Sequence, residues 1–248
     1  MRRFGLIGKT LKHSFSKTFF ENKFLTEGIK DCSYENFELR SPDELSILIR
    51  DNPEIRGLNV TIPYKEQVIP YLDHKNDVVE NTGACNCISV VNSELFGFNT
   101  DVIGFKSSLQ SKLKPQHKSA LVLGSGGASK AVQYALKESG ISYTVVSRHK
   151  GFNQLGYEDL GKDCLQENKL IINTTPLGMY PAVHDDPPIP YEYLTSEHFL
   201  FDLIYNPAKT KFLEKGEQKG AQIANGYEML VLQAEESWRI WNQEIVKH

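Results

Sequence analysis

The segment 119–131 constrains the fold of this chain more than any other, because a glycine-rich turn there separates a short apolar run from helix-forming residues. Residues 120–123 are typical of a buried parallel strand, and residues 131–136 favour a helix. Gly124, Gly126 and Gly127 lie between them. In this context the turn lets the backbone approach a pyrophosphate, and the helix N-terminus offers free N–H groups. The pattern predicts a dinucleotide site; a glycine-rich turn without a ligand is the alternative.

The next strand of this unit, residues 143–146, is followed by Ser147, Arg148, His149 and Lys150. A site for NAD places an acidic residue near this point to hold the ribose 2′-hydroxyl, and this chain has none there. Arg148, with Lys150 nearby, suits a 2′-phosphate instead. The pattern therefore predicts NADP(H) as the cofactor, with two ordinary surface cations as the alternative.

Composition narrows the classes of protein to which the chain can belong. Its 248 residues, 40% hydrophobic and 24% charged, are typical of one large globular domain or two of ordinary size. The net charge of −3 does not favour nucleic acid as a partner. No apolar run has the length of a membrane span, and the apolar stretch at the start is too short for a signal peptide. We expect a cytoplasmic protein that binds neither nucleic acid nor membrane.

The four cysteines do not indicate a metal site. No C-x-x-C pair occurs, and the C-x-C spacing of Cys85 and Cys87 alone is a poor metal-binding pattern. Reduced cysteines fit a cytoplasmic location. We therefore expect no bound metal.

Strand and helix patterns alternate along the first hundred residues, which predicts a separate α/β domain there. Residues 3–7 read as a strand, a loop then reaches Ser16, and a helix continues to about Leu25. Residues 41–44 read as a capping box with proline at the first helical position, so a helix is expected from there to about Arg50. The turn at residues 92–94 predicts a β-hairpin.

Three positions in this half have both a structural and a chemical interpretation. Ser14 and Ser16 either cap the following helix or bind a small polar ligand. Lys65 follows Pro63 in the first turn of a predicted helix, where the helix dipole disfavours its charge. That placement suits a residue that must release a proton, although a solvated surface lysine is the alternative. Asp101 lies at a strand-to-helix junction, where it is either a helix cap or a site residue.

The second half continues with strand patterns at 170–172, 199–202 and 222–224, and with a long terminal helix from about residue 226. Met229, Leu232, Trp238 and Trp241 fit the buried face of that helix. Gln233 falls off this face, which on this pattern alone makes it a surface residue.

Taken together, the ordered motifs resemble those of the shikimate dehydrogenase family over almost the whole chain. The Asn-Val-Thr-x-Pro-x-Lys and Asn-Thr-Asp motifs are specific, whereas the glycine loop is not. The motifs that carry the resemblance are HSFS (13–16), NVTIPYK (59–65), GACN (83–86), GFNTD (97–101), GSGGA (124–128), NTTPLGM (173–179), DLIYNP (202–207) and GYEMLVLQA (226–234).

The resemblance implies the reversible reduction of 3-dehydroshikimate to shikimate by NADPH, in the pathway that leads to chorismate and the aromatic amino acids. It implies that Lys65 and Asp101 form the catalytic pair, and that Ser14 and Ser16 hold the substrate carboxylate. The other substrate-site residues that it implies are Asn59, Thr61, Asn86, Tyr205 and Gln233. The implied cofactor residues are Gly124, Ser125, Gly126, Gly127, Ala128, Ser147, Arg148, Lys150, Thr174 and Gly226.

The implied architecture is an N-terminal α/β substrate-binding domain and a Rossmann-type doubly wound NADP-binding domain, with the active site in the cleft between them. We assign residues 1–101 to the first domain, joined by the C-terminal helix at 226–248, and residues 102–225 to the second. The resemblance also implies a monomer or a homodimer.

The chain departs from the family pattern at several positions. Lys17 replaces the usual proline after the serine pair, and Cys85 and Cys87 replace the usual valine and threonine around Asn86. The span from Ser147 to Leu170 is short, which predicts a reduced helix. A quinate/shikimate dehydrogenase using NAD or NADP shares nearly every motif, and a non-catalytic NADP-sensing module is an alternative from another class.

Overall fold

The computed structural model describes residues 1–11, 15–149 and 151–243, and these residues fall into two compact units. Unit 1 comprises residues 1–103 and the chain from Gln233 onward, and unit 2 comprises residues 104–232. The sequence analysis divides the chain near the same points, at residues 101 and 226. The role assigned to each domain stays a prediction.

The strands of unit 1 are β1 (Arg2–Gly8), β2 (Cys32–Glu38), β3 (Ile55–Val60), β4 (His74–Lys75), β5 (Cys87–Val91) and β6 (Glu94–Phe98). Its helices are α1 (Phe15–Thr26), α2 (Glu44–Asp51), α3 (Tyr64–Gln67), α4 (Asp77–Thr82), the start of α5 (Thr100–Gln110) and the end of α9 (Tyr227–Trp241), with a 3₁₀ turn at Ile69–Tyr71.

These strands form a mixed sheet in the order β2-β1-β3-β5-β6-β4. The first three strands are parallel, whereas β5 runs antiparallel to both β3 and β6. Asn92 and Ser93 connect β5 to β6 with φ angles of 52° and 67°. A two-residue hairpin turn needs positive φ at both central positions, and asparagine tolerates it well, so the predicted hairpin is confirmed.

Aromatic side chains fill the side of unit 1 on which α1 and α9 pack. The Trp241 ring stacks on Phe4 with 5.0 Å between ring centroids, and its Nε1 donates a hydrogen bond to the Ile88 carbonyl oxygen. Phe20 stacks on Tyr34 at 4.5 Å. Of the predicted core positions on α9, Met229 and Trp241 are buried, and Leu232 and Trp238 are half-buried.

Unit 2 contains β7 (Ser119–Leu123), β8 (Ser142–Val146), β9 (Gln154–Leu155), β10 (Leu170–Asn173), β11 (Phe199–Asp202) and β12 (Gln222–Ala224). Its other elements are α6 (Gly127–Glu138), α7 (Lys162–Glu167), α8 (Lys211–Gln218) and 3₁₀ turns at Tyr157–Asp159 and Tyr191–Tyr193. Helix α7 has 6 residues, which agrees with the reduced helix predicted for this span.

The sheet of unit 2 is parallel, in the order β12-β11-β10-β7-β8-β9. The chain thus starts at β7 in the middle of the sheet and continues to the edge strand β9. It then returns to β10, beside β7, and builds the other half of the sheet. This is the Rossmann doubly wound order, and its topological switch point lies between β7 and β10. The predicted α/β fold is confirmed.

Two local predictions in unit 1 are wrong. Helix α1 begins at Phe15, so Ser16 lies in its first turn rather than in the preceding loop. Helix α2 begins at Glu44 rather than Pro42, and no capping box forms. Instead, the Ser41 hydroxyl donates to the Asp43 carboxylate, and the Glu44 carboxylate accepts from the Arg40 amide at 2.9 Å. These local hydrogen bonds compete with the capping arrangement.

Candidate active site

Lys65 occupies the single turn of α3, which its neighbours hold firmly in unit 1. Tyr64 is buried, and its hydroxyl donates to the Leu39 carbonyl oxygen at 2.7 Å. The Lys65 carbonyl oxygen accepts a hydrogen bond from the Cys85 amide, also at 2.7 Å. Helix α3 is therefore hydrogen-bonded to two separate segments, at Leu39 and at Cys85. These bonds fix the position of the backbone that carries the Lys65 side chain.

The Lys65 ammonium forms an ion pair with Asp101, with 2.7 Å between Nζ and Oδ2. The two side chains retain 23% and 13% of their exposure, so both are screened from solvent yet accessible to a small molecule. The structure thus brings together the two residues that the sequence analysis names as a catalytic pair. A carboxylate that holds an ammonium in place leaves its remaining N–H groups to face a ligand.

Asp101 is positioned by the residue before it, Thr100, which begins α5 and is almost fully buried. The Thr100 amide donates to Asn86 Oδ1 at 2.6 Å, and Asn86 Nδ2 donates to the Thr100 hydroxyl at 3.0 Å. Asn86 therefore satisfies an otherwise unpaired amide in the first turn of α5 and orients the helix that carries Asp101. One hydrogen of the Asn86 amide group remains for a ligand.

The other predicted substrate residues of unit 1 differ in how available they are. Asn59 is buried, and its side chain is already engaged by Tyr34 and Ser237, so it supports its neighbours more than it faces a ligand. Thr61 is half-buried at the end of β3. Gln233 is buried on α9 with 8% of its surface exposed, so its interpretation as a surface residue from the helical pattern is wrong.

Ser16 points from the first turn of α1 toward the strand β2. Burial raises the pKa of the Tyr34 hydroxyl well above its ordinary value, and the nearby Ser16 side chain opposes this shift. Tyr34 therefore stays protonated and acts as a hydrogen-bonding group. The other predicted serine, Ser14, lies outside the described residues.

Cys85 and Cys87 flank Asn86 and are fully buried. Burial raises the pKa of the Cys85 thiol to about 12, and it raises the pKa of the Cys87 thiol as well. Neither thiol ionises at neutral pH, so these residues act as packing groups and not as nucleophiles.

The glycine turn of unit 2 has the geometry that a dinucleotide phosphate needs. Gly124 has φ of +105°, and a Cβ there would lie 2.8 Å from Thr174 Oγ1, so both conformation and space require glycine. Gly126 precedes α6, and a Cβ there would meet no atom within 4 Å, so its backbone borders open space. Ala131 is buried and lets α6 pack against the sheet. The free N–H groups in the first turn of α6 then suit an anion.

The predicted contacts for the 2′-phosphate follow strand β8. Ser147 is half-buried, with its hydroxyl 3.4 Å from that of Ser125. Arg148 is exposed, and the described residues place no carboxylate within ion-pair distance of it. The guanidinium is thus available for an anionic ligand. Lys150 lies outside the described residues.

At the switch point, Thr174 closes the gap between β10 and β7. Its amide and its hydroxyl both donate to the Leu123 carbonyl oxygen, at 2.9 and 2.6 Å. Ligands bind at this position in open α/β sheets. The predicted Gly226 is buried, and a Cβ there would overlap the Leu203 carbonyl oxygen, so its small size serves close packing. Tyr205 follows β11 and retains 36% of its exposure.

A buried carboxylate, Asp202, organises the loops beside Thr174. Its Oδ2 accepts from the Thr210 hydroxyl at 2.6 Å, and its Oδ1 accepts from Asn173 Nδ2 at 3.1 Å and from the Ile204 amide at 3.0 Å. Burial nevertheless raises the pKa of Asp202 to about 6. Desolvation therefore outweighs three hydrogen bonds.

The sequence analysis missed several supporting residues, chiefly Tyr34, Thr100, Asp202 and Ser237. For Ser237 a signal was present, since it lies four residues after Gln233 and so shares its helix face. Hydrogen-bonding side chains on strands β2 and β11 gave no comparable signal, because their partners come from distant parts of the sequence.

Comparison with known proteins decides the family. The family described as "Shikimate dehydrogenase substrate binding domain" matches residues 6–88. The NADP(+)-dependent shikimate dehydrogenase of Caldicellulosiruptor bescii is 36% identical over 97% of this chain and 89% of its own length. This chain belongs to the shikimate dehydrogenase family.

Further members of the family agree. The NADP(+)-dependent enzyme of Clostridium beijerinckii is 38% identical over 98% of this chain and 93% of its own length. The shikimate 5-dehydrogenase of Thermus thermophilus, solved in complex with NADP(H) and shikimate, superimposes with a TM-score of 0.86. It is 31% identical, and the match covers 98% of this chain and 94% of the solved chain.

Among the described residues, no helix is long and apolar enough to cross a membrane. Within the same residues, no group of three or more His, Cys, Asp or Glu side chains is arranged to hold a metal ion.

Proposed function

We propose that this protein catalyses the reversible NADPH-dependent reduction of 3-dehydroshikimate to shikimate, a step toward chorismate and the aromatic amino acids. The observation that carries the proposal is the 2.7 Å ion pair between Lys65 and Asp101 in a chain that belongs to the shikimate dehydrogenase family. A non-catalytic NADP sensor would have no need of a screened, preoriented acid–base pair.

The residues of unit 2 fit NADP(H). Open space beside Gly126 and the first turn of α6 receive the pyrophosphate, and Arg148 binds the 2′-phosphate. The other predicted cofactor residues surround them on the glycine turn, after β8 and at the switch point. NADPH supplies the hydride, which is the chemistry of the cofactor and not of the protein.

The residues of unit 1 bind and orient the substrate and provide a proton. Ser14 and Ser16 hold the carboxylate, and the other proposed substrate-binding residues are Asn59, Thr61, Asn86, Tyr205 and Gln233. When the ketone is reduced at its carbon, its oxygen gains negative charge and needs a proton, which the pair of Lys65 and Asp101 supplies. Asp101 fixes the ammonium, so that little reorientation is needed when the reaction occurs.

We also propose a cytoplasmic protein that acts as a monomer or a homodimer. The expected partners are small molecules, and no macromolecular partner enters the reaction. Gel filtration with light scattering measures the oligomeric state.

Purified protein mixed with shikimate and NADP⁺ tests the proposal through the absorbance of reduced nicotinamide. We expect reduction of NADP⁺ with shikimate, and a slower reaction with NAD⁺ or with quinate. Preferential oxidation of quinate with NAD⁺ would indicate the quinate/shikimate dehydrogenase alternative. NADP(H) binding without turnover of either substrate would indicate a sensing module and refute the proposal.

A further inference from the structure

Ser237 lies at the centre of a buried group of polar side chains in unit 1. Its side chain is fully buried on α9, four residues after Gln233. Its hydroxyl donates to the Gln233 carbonyl oxygen at 2.9 Å. Asn59 Nδ2 lies 2.9 Å from Ser237 Oγ, and the Thr100 hydroxyl oxygen lies 3.2 Å from Ser237 Oγ.

The donor and acceptor inventory limits the direction of these bonds. A serine hydroxyl has one hydrogen and two lone pairs. Ser237 accepts from Asn59 Nδ2, whereas either hydroxyl can donate in its contact with Thr100, whose own hydrogen can also go to Asn86 Oδ1 at 3.2 Å. The Ser237 hydroxyl thus holds three separate segments at one point.

Bonds from these partners reach the proposed substrate residues. Asn59 Oδ1 accepts from the Tyr34 hydroxyl at 2.8 Å, and the Ser16 side chain lies near enough to that hydroxyl to oppose the rise in its pKa that burial causes. On the other side, Thr100 exchanges hydrogen bonds with Asn86 and directly precedes Asp101. The network therefore joins the proposed carboxylate anchor to the segment that carries the proposed catalytic carboxylate.

We infer that Ser237 is a positioning residue for the reaction, acting through Thr100 and Asn59 on Asp101, Asn86 and Ser16. This inference rests on the proposed function. Removing the hydroxyl takes the 2.9 Å acceptor from a buried Asn59 N–H and leaves the Thr100 hydroxyl with Asn86 as its remaining partner, so both side chains lose the contact that holds them together. A small displacement of Asp101 or Asn86 lowers the rate, because catalysis depends on alignment within a fraction of an ångström.

Ser237→Ala tests the inference, with Ser108→Ala as the matched control. Ser108 is also a fully buried helical serine, but its hydroxyl donates only to Phe105, in the preceding turn of its own helix, at 2.9 Å. We expect Ser237→Ala to lower kcat/KM for shikimate about tenfold, whereas the dissociation constant for NADPH stays within twofold. Ser108→Ala should leave both quantities within twofold of wild type.

A second pair of variants separates positioning from folding. Thr100→Ser keeps the hydroxyl and should retain most of the activity, whereas Thr100→Val removes it and should reproduce the loss. In the double variant with Ser237→Ala and Thr100→Val, the losses should not multiply, because both break the same network. These variants also test the inference should Ser237→Ala fail to fold.

The possible results are distinct. Wild-type protein that does not oxidise shikimate with NADP⁺ refutes the proposed function itself. If wild type is active and the kcat/KM of Ser237→Ala for shikimate lies within twofold of it, the positioning role is overturned. Losses in kcat/KM that multiply in the double variant overturn it as well. A fall in NADPH affinity equal to the fall in kcat/KM would show a general structural defect and overturn it as well.

Discussion

Replacing Asp202 by asparagine should make the stability of the protein less sensitive to pH. Asp202 is buried in unit 2, and burial raises its pKa from 3.8 to about 6. The folded protein thus binds a proton between these two values that the unfolded chain has released. Stability is greatest when that proton is bound in the folded state, so this contribution is fully present below about pH 4 and is lost as pH rises through 6.

The size of the effect follows from the shift. A pKa raised from 3.8 to about 6 corresponds to about 3 kcal/mol of unfolding free energy over the whole titration, of which about 2.4 kcal/mol is lost between pH 4 and pH 7, at 1.36 kcal/mol per unit. Asparagine keeps the amide oxygen that accepts from Asn173 and Ile204, but its NH₂ group faces the Thr210 hydroxyl. This change in hydrogen bonding shifts the unfolding free energy of the variant by the same amount at every pH. The quantity predicted is therefore how the difference in unfolding free energy between variant and wild type changes with pH.

Urea denaturation followed by far-UV circular dichroism measures this difference at pH 4, 5, 6 and 7. Circular dichroism is preferred to tryptophan fluorescence because Trp238 and Trp241, the two tryptophans of the chain, lie in unit 1, whereas Asp202 lies in unit 2. Asp163→Asn, a change of an exposed carboxylate in the same unit, serves as the control. A ¹³C titration of the Asp202 carboxyl carbon reports its pKa directly.

The unfolding free energy of Asp202→Asn minus that of wild type should rise by about 2.4 kcal/mol from pH 4 to pH 7, while the control difference stays flat. A flat difference for Asp202→Asn, or one that falls with pH, would refute the reasoning. A carboxyl carbon titrating near pH 4 would show that the three hydrogen bonds outweigh burial.

Three further predictions concern the two units. Lys65→Ala should lower kcat by about 10²–10⁴-fold with an unchanged dissociation constant for NADPH, since a positioned acid–base group contributes that much; near-normal kcat would exclude Lys65 from the proton transfer. Arg148→Ala should weaken NADP⁺ binding by about 1.5–3 kcal/mol in calorimetric titrations and leave NAD⁺ binding unchanged, because a hydrogen bond to a charged phosphate is lost; equal losses for both cofactors would contradict the assignment. Gly57→Ala should lower the thermal stability by about 1–3 kcal/mol, because its Cβ would overlap the Trp241 indole. The control Gly161→Ala, with no atom within 4 Å of the added Cβ, should show only the small loss expected at the N-cap of α7. Equal melting temperatures for the two variants would count against the packing argument.

Prediction from sequence succeeded where a local requirement left a mark on residue type. Gly124 needs positive φ and lies at a predicted strand end, and Asn92 precedes Ser93 in a hairpin turn with the same requirement. Each feature depends on neighbours along the chain. The glycine turn and the hairpin could therefore be anticipated from short segments, whereas the doubly wound architecture of unit 2 was expected from the family resemblance.

Prediction failed where alternative local hydrogen bonds compete or where distant segments pack together. The capping box expected at Ser41–Glu44 does not form, because other local hydrogen bonds replace it. Gln233 is buried, although the helical pattern places it outside the apolar face. The network around Ser237 joins residues more than a hundred positions apart, such as Thr100 and Ser237. No spacing rule finds such contacts, because they exist only after the sheet and α9 have packed.

The discontinuity of unit 1 has a consequence for how the protein is made. Unit 2 is a continuous segment, residues 104–232, whereas unit 1 needs residues that follow it, including Ser237 and Trp241. Domains generally fold as their chain leaves the ribosome, N-terminal first. Here the order is reversed: the nascent N-terminal segment lacks the indole that covers Phe4, and it must wait with this surface exposed while unit 2 is synthesised. Chaperones that bind exposed aromatic surface should therefore associate with the first hundred residues until α9 emerges.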